Sequence, residues 1–191
     1  MRRAVFLDRD GVINRGILHG GMSFSPCSLE EFEILPGVPE ALAKLRAAGY
    51  LLVVCTNQPD VRRGNAERAD VDAIHAFLRK QLPLDDLRVC YHDDADRCAC
   101  RKPAPGMLYA SAVDHEIQLA GSFMVGDRWR DIGAGKAAGC TTILVNRFPE
   151  PFGAEPDVEL ADLPSAAEWI VSRARNRRHP GGAVSGHQGS G

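Results

Sequence analysis

Short runs of consecutive apolar residues recur along the chain, and segments with helical periodicity lie between them. Runs that are apolar at every position are typical of strands buried on both faces, as in a parallel sheet. We therefore predict strands at residues 4–7, 51–55, 87–92, 123–127 and 141–145, with a further short strand at Val158–Leu160.

The segments between these runs carry the start, stop and spacing signals of helices. A helix is predicted at residues 39–48, because Pro in its first turn and Gly just past its end are common helix boundaries. Residues 66–82 place Val71, Ile74 and Phe77 at helical spacing. Further helices are predicted at about 105–115, 129–138 and 165–175. Strands that alternate with helices indicate an α/β fold with a doubly wound parallel sheet.

Two segments lack these patterns. Residues 12–36 contain Gly16, Gly20 and Pro26 among other breakers, which predicts a long loop without regular elements. Because long loops in compact domains are usually functional, we expect this loop to form a flap over a ligand. Residues 176–191 are rich in Gly, Ser, Arg and His and have little to bury. We therefore predict one folded domain at residues 1–175, followed by a disordered tail.

Composition and charge are those of an ordinary globular protein. The chain has 191 residues, of which 45% are hydrophobic and 25% charged, with a formal net charge of -2. A net charge this small gives no reason to expect nucleic acid or an acidic membrane as a partner. The N-terminal apolar run is too short for a signal peptide, and no stretch approaches the roughly 20 apolar residues of a membrane helix. We expect a cytoplasmic monomer.

Asp8 and Asp10 directly follow the first predicted strand. In open α/β sheets, ligands bind at the carboxyl ends of the strands, where the departing loops leave a crevice. Two carboxylates this close repel each other unless a cation lies between them, and hard oxygen ligands suit Mg²⁺. The pair therefore indicates a magnesium site. A solvated turn is the alternative, because Asp and Gly are common turn formers.

Four candidate zinc ligands lie close together in the sequence: Cys90, His92, Cys98 and Cys100. Three thiolates and one imidazole complete a closed tetrahedral site of the kind that holds structural Zn²⁺. Reduced cysteines or a local disulfide are the alternatives, but the imidazole favours zinc because a disulfide does not need it. His75, on the second predicted helix, is expected to be a surface or internally satisfied residue rather than a ligand.

Polar residues also follow the other predicted strands. Thr56 and Asn57 follow the second, Lys102 comes just after the cysteine-rich loop, and Asp127 ends the fourth. This arrangement resembles the haloacid dehalogenase (HAD) superfamily of phosphotransferases. The four motifs of that superfamily are matched, in order, by residues 8–11, Thr56, Lys102 and residues 126–131. With its cysteine-rich loop, the chain is similar to the zinc-loop subgroup that contains heptose-bisphosphate phosphatases and the histidinol-phosphatase domain.

The resemblance implies a Rossmann-like HAD fold and a phosphatase mechanism. Asp8 would attack phosphorus to form an aspartyl phosphate, and Asp10 would act as general acid and base. Asp8, Asp127 and the backbone carbonyl of Asp10 would hold Mg²⁺. Thr56 and Lys102 would stabilise the transferring phosphoryl group. A non-catalytic binding module of the same fold is the alternative, which the presence of Asp10 and Lys102 disfavours.

The substrate is expected to be a small phosphorylated metabolite read by loops. The motif spacing leaves no room for an inserted cap domain, so the flap and the zinc loop would cover the site. Candidate substrate-binding residues are Arg9, His19, Asn57, Arg101 and Arg128. Arg101 or Arg128 could bind a second phosphate through charge-assisted hydrogen bonds. This favours a bisphosphorylated sugar as substrate, and we expect D-glycero-D-manno-heptose 1,7-bisphosphate cleaved at the 7-position. Histidinol phosphate is the alternative, but its ammonium and imidazole groups would need an acidic flap.

Overall fold

Six parallel strands of the computed structural model form the central sheet, and a short hairpin lies outside it. The structure describes residues 1–146 and 153–178. In chain order the strands are β1 (Arg3–Leu7), β2 (Ile17–His19), β3 (Met22–Phe24), β4 (Tyr50–Asn57), β5 (Asp86–Cys90), β6 (Phe123–Gly126), β7 (Thr141–Val145) and β8 (Val158–Leu160). Across the sheet their order is β5-β4-β1-β6-β7-β8, and each neighbouring pair is parallel.

The chain reverses its direction across the sheet at β1. From β1 it adds β4 and β5 on one side, and it then returns to add β6, β7 and β8 on the other side. At such a reversal the loops leave neighbouring strands in opposite directions, which opens a crevice at the carboxyl ends. The residues that follow β1, β4 and β6 therefore share one crevice.

Helices cover both faces of the sheet. They are α1 (Val38–Ala47), α2 (Pro59–Arg63), α3 (Arg68–Gln81), α4 (Gly106–Asp114), α5 (Trp129–Ala137) and α6 (Leu163–Arg178). Val5 and Leu7 of β1 pack in a core with α1, α3 and α6, whereas Phe6 packs on the opposite face with α4 and α5. The predicted α/β fold with a doubly wound parallel sheet is confirmed.

Burial on both faces explains the uninterrupted apolar sequence of β1. Ala4, Val5, Phe6 and Leu7 each have 0% of their surface exposed. Burying a side chain of the size of Val, Leu or Phe contributes about 1.5–3 kcal/mol to folding. The strand that carries the first acidic motif is thus anchored from both sides, which limits the movement of the residues that follow it.

The structure differs from the sequence prediction in the loop after β1 and around the end of β4. The loop predicted at residues 12–36 contains the β2–β3 hairpin, because Gly20 and Gly21 both have positive φ and form its two-residue turn. The short helix α2 follows β4 and was not predicted. β4 runs to Asn57, so Thr56 and Asn57 form the end of the strand instead of following it.

The connections after β1 and β4 contain only the hairpin and the helices α1, α2 and α3, so the described residues include no inserted cap domain. Helix α6 extends to Arg178, beyond its predicted end at about residue 175. Residues 179–191 of the predicted tail lie outside the described residues. Of the helices that are described, none combines the length and the apolar character that crossing a bilayer requires.

Candidate active site

Four charged side chains meet at the carboxyl edge of the sheet. Asp8 follows β1, Asp127 follows β6, Asp131 lies in the first turn of α5, and Lys102 precedes α4. The Lys102 Nζ atom lies 2.7 Å from Asp8 Oδ1 and 2.5 Å from Asp131 Oδ1. Lys102 is buried, so these two carboxylates replace the water that would otherwise solvate its ammonium group.

An excess of negative charge remains at this point. Burial and the charge of Asp131 raise the pKa of Asp8 to about 7, although Lys102 acts in the opposite direction. Burial and the neighbouring Asp8 raise the pKa of Asp127 as well. Asp127 Oδ1 is buried and has no hydrogen-bond partner among the described residues. Carboxylate oxygens of Asp8, Asp127 and Asp131 lie within 4.8 Å of one another, so this donor set fits a divalent cation that prefers oxygen ligands.

Two glycines allow the carboxylates to approach the backbone closely. Gly11 has a φ of 80°, and a Cβ atom there would lie 2.2 Å from Asp127 Oδ2. A Cβ atom at Gly126 would lie 2.1 Å from the Cβ atom of Asp131. Both distances are far below van der Waals contact, so a larger residue at either position would displace a carboxylate. The glycines beside Asp10 and Asp127 in the sequence are therefore steric requirements of the site.

The Asp10 carboxylate accepts hydrogen bonds from four side chains. Its Oδ1 atom accepts from Arg9 Nη2 at 2.8 Å and from Asn14 Nδ2 at 2.9 Å. Its Oδ2 atom accepts from Ser25 Oγ and Gln58 Nε2, both at 2.8 Å. Burial alone would raise the pKa of Asp10, but the charge of Arg9 and these hydrogen bonds outweigh burial and lower it. The Asp10 side chain is therefore held in one orientation, and Ser25 links it to the flap.

The end of β4 connects the other parts of the site. Asn57 Nδ2 donates to the Lys102 carbonyl oxygen at 3.0 Å, and Asn57 Oδ1 accepts from the Lys102 backbone N–H at 3.1 Å. Gln58 Nε2 donates to Thr56 Oγ1 at 2.9 Å as well as to Asp10. Thr56 is buried. One strand thus positions both the lysine and the Asp10 carboxylate.

Two residues predicted to bind substrate lie outside the cavity at this site. Arg9 is 0% exposed, and its guanidinium group contacts Asp10 and, at 3.0 Å, His75 Nε2. His19 is exposed on β2 and is not among the residues that line the cavity. Neither Arg9 nor His19 is therefore placed to contact a substrate in this cavity. The Arg9 guanidinium group is enclosed between Asp10 and His75, so it supports Asp10 instead of facing the cavity.

A cavity of about 610 Å³ opens beside the carboxylates. This volume lies within the range of about 300–1,000 Å³ that is typical of small-molecule sites. Asp8, Asp10 and Lys102 line the cavity together with the flap residues Ser23 and Ser25. Four arginines also line it: Arg63, Arg101, Arg128 and Arg130. The cavity therefore has acidic residues at the strand ends and a basic rim. The carboxylates of Asp60 and Asp94 also line it.

Two of these arginines share one carboxylate, and a third contacts the flap. Asp94 Oδ1 accepts from Arg101 Nε at 2.8 Å and from Arg130 Nη1 at 2.9 Å. Arg128 Nη2 donates to the backbone carbonyl of Ser23 at 3.0 Å. The guanidinium groups are thus oriented at the rim before any ligand binds.

The predicted zinc ligands form a compact cluster beside this rim. The Cys100 Sγ atom lies 3.3 Å from Cys90 Sγ, 3.4 Å from Cys98 Sγ and 3.3 Å from His92 Nδ1. Ligands on a tetrahedral Zn²⁺ with bonds of about 2.3 Å are about 3.8 Å apart. The sulfur atoms are too far apart for a disulfide, which requires about 2.05 Å. The four donors fit a single zinc ion, and Arg101 donates to the His92 carbonyl oxygen at 3.2 Å.

Several residues of the site were missed by the sequence analysis. Asn14, Ser25 and Gln58 bind Asp10, yet none of them was singled out. No sequence pattern marks them, because Asn14 and Ser25 lie among turn-forming residues and Gln58 precedes a proline. The expectation that His75 is internally satisfied agrees with its contact to Arg9.

The carboxylates at the strand ends and the buried lysine on a doubly wound sheet define a hydrolase of the HAD class. The family model described as HAD-hydrolase-like matches residues 99–148. D-glycero-beta-D-manno-heptose-1,7-bisphosphate 7-phosphatase of Salmonella typhi is 35% identical over 88% of this chain and 89% of its own length. D-glycero-D-manno-heptose-1,7-bisphosphate 7-phosphatase of Thermosynechococcus vestitus is 35% identical over 92% of this chain and 99% of its own length.

A solved structure agrees with these relatives. The crystal structure of D,D-heptose 1,7-bisphosphate phosphatase from B. bronchiseptica, complexed with magnesium and phosphate, matches with a TM-score of 0.74 at 33% identity. The match covers 90% of this chain and 99% of that chain. The chain belongs to this family of HAD phosphatases, so the predicted family and the predicted phosphatase activity are confirmed. Enzymes of this class use a divalent metal and act on phosphorylated small molecules.

Proposed function

We propose that the protein removes the 7-phosphate of D-glycero-D-manno-heptose 1,7-bisphosphate. The observation that carries this proposal is a single cavity that Asp8 and Lys102 line together with four arginines. A substrate with two phosphates needs one reaction centre and one separate set of cationic contacts, and this cavity offers both. The relatives described above carry the same substrate and the same position of cleavage in their names.

Asp8 is the proposed nucleophile and Asp10 the proposed general acid and base. Attack of an Asp8 oxygen on phosphorus would form an aspartyl phosphate and divide hydrolysis into two easier displacements. Asp10 would protonate the leaving alkoxide in the first displacement and deprotonate the attacking water in the second. Lys102 and Thr56 would stabilise the negative charge that develops on the phosphoryl oxygens. The contacts of Asp8 with Lys102 and of Asp10 with its four donors support these roles.

Mg²⁺ is the cation that we assign to the carboxylate cluster. Asp8, Asp127 and the backbone carbonyl of Asp10 would hold it, while Asp131 orients Lys102. When bound, the ion offsets the repulsion between the nucleophile and the phosphate. The buried Asp127 Oδ1 atom, which lacks a hydrogen-bond partner among the described residues, supports this assignment.

Arg101 and Arg128 are proposed to bind the second phosphate. Both line the cavity, and a phosphate presents oxygen acceptors that suit the planar guanidinium group. Arg101 donates to Asp94 in the absence of substrate, so the phosphate would take over a donor that is already oriented. Asn57, which was predicted to bind substrate, uses both ends of its amide on Lys102 and thus supports the site indirectly.

Zn²⁺ is proposed to serve structure rather than chemistry. Cys90, His92, Cys98 and Cys100 would supply all four ligands, which leaves no open position for water. Lys102 follows Cys100 by two residues, so the ion would fix the segment that delivers the lysine to Asp8. The arrangement of the four donor atoms around one point supports this assignment.

The substrate assignment is tested by comparing kcat/KM for four compounds with Mg²⁺ present. These are the two anomers of heptose 1,7-bisphosphate, heptose 7-phosphate, and histidinol phosphate. We expect one bisphosphate anomer to be preferred, and inorganic phosphate to be released from the 7-position. A preference for histidinol phosphate would overturn the substrate assignment, and equal rates for the bisphosphate and the 7-phosphate would overturn the second phosphate site.

A further inference from the structure

Two buried side chains, His75 and Arg9, connect helix α3 with Asp10. His75 lies on α3 with 5% of its surface exposed, and its Nε2 atom is 3.0 Å from Arg9 Nη1. Arg9 is 0% exposed, and its Nε and Nη2 atoms lie 3.1 and 2.8 Å from Asp10 Oδ1. We propose that His75 is a positioning residue, which holds Arg9 and, through Arg9, the Asp10 carboxylate in the orientation that proton transfer requires. This inference rests on the proposed acid–base role of Asp10.

The chemistry of the two groups sets the direction of the His75–Arg9 hydrogen bond. A guanidinium group has five N–H donors and no acceptor, and it stays protonated in proteins. The Nε2 atom of His75 must therefore accept, which places the ring proton on Nδ1 and leaves the imidazole neutral. A protonated His75 would bring two buried cations to 3.0 Å. His75 acts here as a fixed acceptor.

Arg9 needs this acceptor because Asp10 binds only its Nε and Nη2 atoms, and His75 is the partner that the described residues offer to Nη1. Nε and Nη2 bind Asp10, and Nη1 faces His75. A buried N–H group without an acceptor is unfavourable, so removing the imidazole would favour rotation of the guanidinium group toward other acceptors. Because the guanidinium group is planar and rigid, any rotation that helps Nη1 disturbs the contacts with Asp10.

The position of His75 within α3 supports a specific role. Val71, Ile74 and Leu78, on the same face of the helix, are buried apolar residues, and an apolar residue at position 75 would continue that face. Burying an imidazole instead is unfavourable unless it makes a hydrogen bond. The contact with Arg9 supplies that hydrogen bond and links the hydrophobic core to Asp10.

The orientation of Asp10 matters in proportion to how much the leaving group needs a proton. An alkoxide leaving from a sugar phosphate is strongly basic and needs general-acid assistance, whereas p-nitrophenolate leaves without it. The value of kcat/KM reports the step in which the leaving group departs when that step is the first irreversible one. A loss of positioning should therefore lower kcat/KM for an alkyl phosphate much more than for an aryl phosphate.

The test compares three variants with the wild-type enzyme loaded with metal. His75→Leu keeps the volume but removes the acceptor, His75→Gln places an amide oxygen near the position of Nε2, and Ile74→Val trims a buried neighbour on the same helix. For His75→Leu we expect kcat/KM for heptose bisphosphate to fall roughly tenfold or more, with KM little changed. We expect kcat/KM for p-nitrophenyl phosphate to change less than about twofold in the same variant. His75→Gln should recover most of the loss, and Ile74→Val should behave as wild type.

Several results of these measurements would overturn the inference. If His75→Leu loses kcat/KM equally for both substrates and in parallel with its thermal stability, His75 has a purely structural role and the inference is overturned. The inference also fails if His75→Leu has the kcat/KM of wild type, or if His75→Gln does not restore the activity that His75→Leu loses. The variant Asp10→Asn serves as the reference. If Asp10→Asn lowers kcat/KM equally for alkyl and aryl phosphates, the proposed acid–base role of Asp10 is wrong, and this inference is wrong with it. If the wild type does not hydrolyse heptose bisphosphate, the substrate assignment alone fails, and the comparison is made with the alkyl phosphate that it hydrolyses best.

Discussion

Asn57 pairs with the backbone of Lys102 through two hydrogen bonds, as one strand pairs with another. Its amide nitrogen donates to the Lys102 carbonyl at 3.0 Å, and its amide oxygen accepts the Lys102 N–H at 3.1 Å. Asn57 ends β4, whereas Lys102 ends the cysteine-rich loop. The pair thus docks this loop on the sheet at the point from which the lysine side chain reaches Asp8.

The first prediction concerns this pair. Replacing Asn57 with Ala leaves two backbone groups of Lys102 without their partner, which costs about 1–3 kcal/mol. If half of that cost appears as misplacement of the ammonium group, kcat falls by roughly two- to tenfold. Steady-state kinetics and a thermal melt of Asn57→Ala would check this. Asn65→Ala is the control, because Asn65 lines the cavity but contacts only Asp60 among the described partners. A wild-type kcat for Asn57→Ala would contradict the prediction.

The second prediction separates activity from stability at Asp8. Burial and Asp131 raise the pKa of Asp8 to about 7, so its negative charge is unfavourable in the folded protein without metal. We expect Asp8→Asn to lose hydrolysis of phosphate esters, because the amide is not a nucleophile, and to unfold at the same or a higher temperature than wild type in EDTA. Scanning calorimetry at neutral pH measures the second effect. Residual turnover near the wild-type rate, in protein free of contaminating phosphatase, would refute the nucleophile assignment.

The fold was predictable from the sequence because its strands are buried on both faces. Such strands need apolar residues at every position, and the acidic and polar residues that follow them mark the carboxyl edge of the sheet. Asp8 and Asp127 follow two strands of this kind, and the structure brings their carboxylates together. The spacing of the cysteines and His92 likewise indicated one cluster, because a structural zinc site needs four donors and these four lie close together in the sequence.

The residues that support the site could not be predicted in the same way. Arg9 is next to Asp10 in the sequence, but the direction of its side chain depends on the local backbone, and it points into the core toward His75. Ser25 and Gln58 reach Asp10 from a flap and from the end of β4, and their separation along the chain gives no sign of this contact. The hairpin was missed because two glycines, which suggest a break, form its turn.

The third prediction tests the zinc cluster. Cys98→Ser replaces a soft thiolate with a hydroxyl group that binds Zn²⁺ poorly. We expect this variant to contain less than one zinc per chain and to lose activity, because the loop before Lys102 would lose its anchor. Elemental analysis of protein purified without added metal, followed by a thermal melt, measures both effects. Cys27→Ser makes the same chemical change outside the cluster and should keep zinc and stability. Equal zinc content in the two variants would contradict the ligand assignment.

The fourth prediction is a pH dependence of stability that comes from His75. Burial and the charge of Arg9 lower the pKa of His75 from 6.5 to about 4. The unfolded chain therefore binds a proton as the pH falls below 6.5, whereas the folded protein does not bind it until about pH 4. The contribution of neutral His75 to the free energy of unfolding is therefore fully present above pH 6.5. It is lost as the pH falls toward 4, and the total loss is about 3 kcal/mol.

Urea unfolding at pH 7.5 and pH 5 measures this effect by comparison of wild type with His75→Gln. The wild type should lose more free energy of unfolding between the two pH values than the variant does, because Gln does not titrate. Other carboxylates and the cysteine cluster contribute equally to both proteins, so the difference isolates His75. Parallel pH dependences in the two proteins would exclude a buried neutral imidazole at this position.

The fifth prediction concerns recognition of the second phosphate by Arg101. A hydrogen bond to a charged group contributes about 1.5–3 kcal/mol, which corresponds to a factor of roughly ten to one hundred in kcat/KM. We therefore expect Arg101→Ala to lower kcat/KM for heptose 1,7-bisphosphate by that factor. The value for heptose 7-phosphate should stay nearly unchanged, because that compound has no second phosphate to lose. The preference for the bisphosphate would then disappear.

Two controls separate this effect from damage to the neighbouring loop. Arg101 also donates to the His92 carbonyl oxygen, so the zinc content of Arg101→Ala is measured first, and it should equal that of wild type. Arg15→Ala removes an arginine that pairs with Glu33 on the exposed flap and does not line the cavity, so it should leave both values of kcat/KM unchanged. If Arg101→Ala lowers kcat/KM equally for the bisphosphate and the 7-phosphate while zinc is retained, Arg101 acts on the reaction centre and not on the second phosphate.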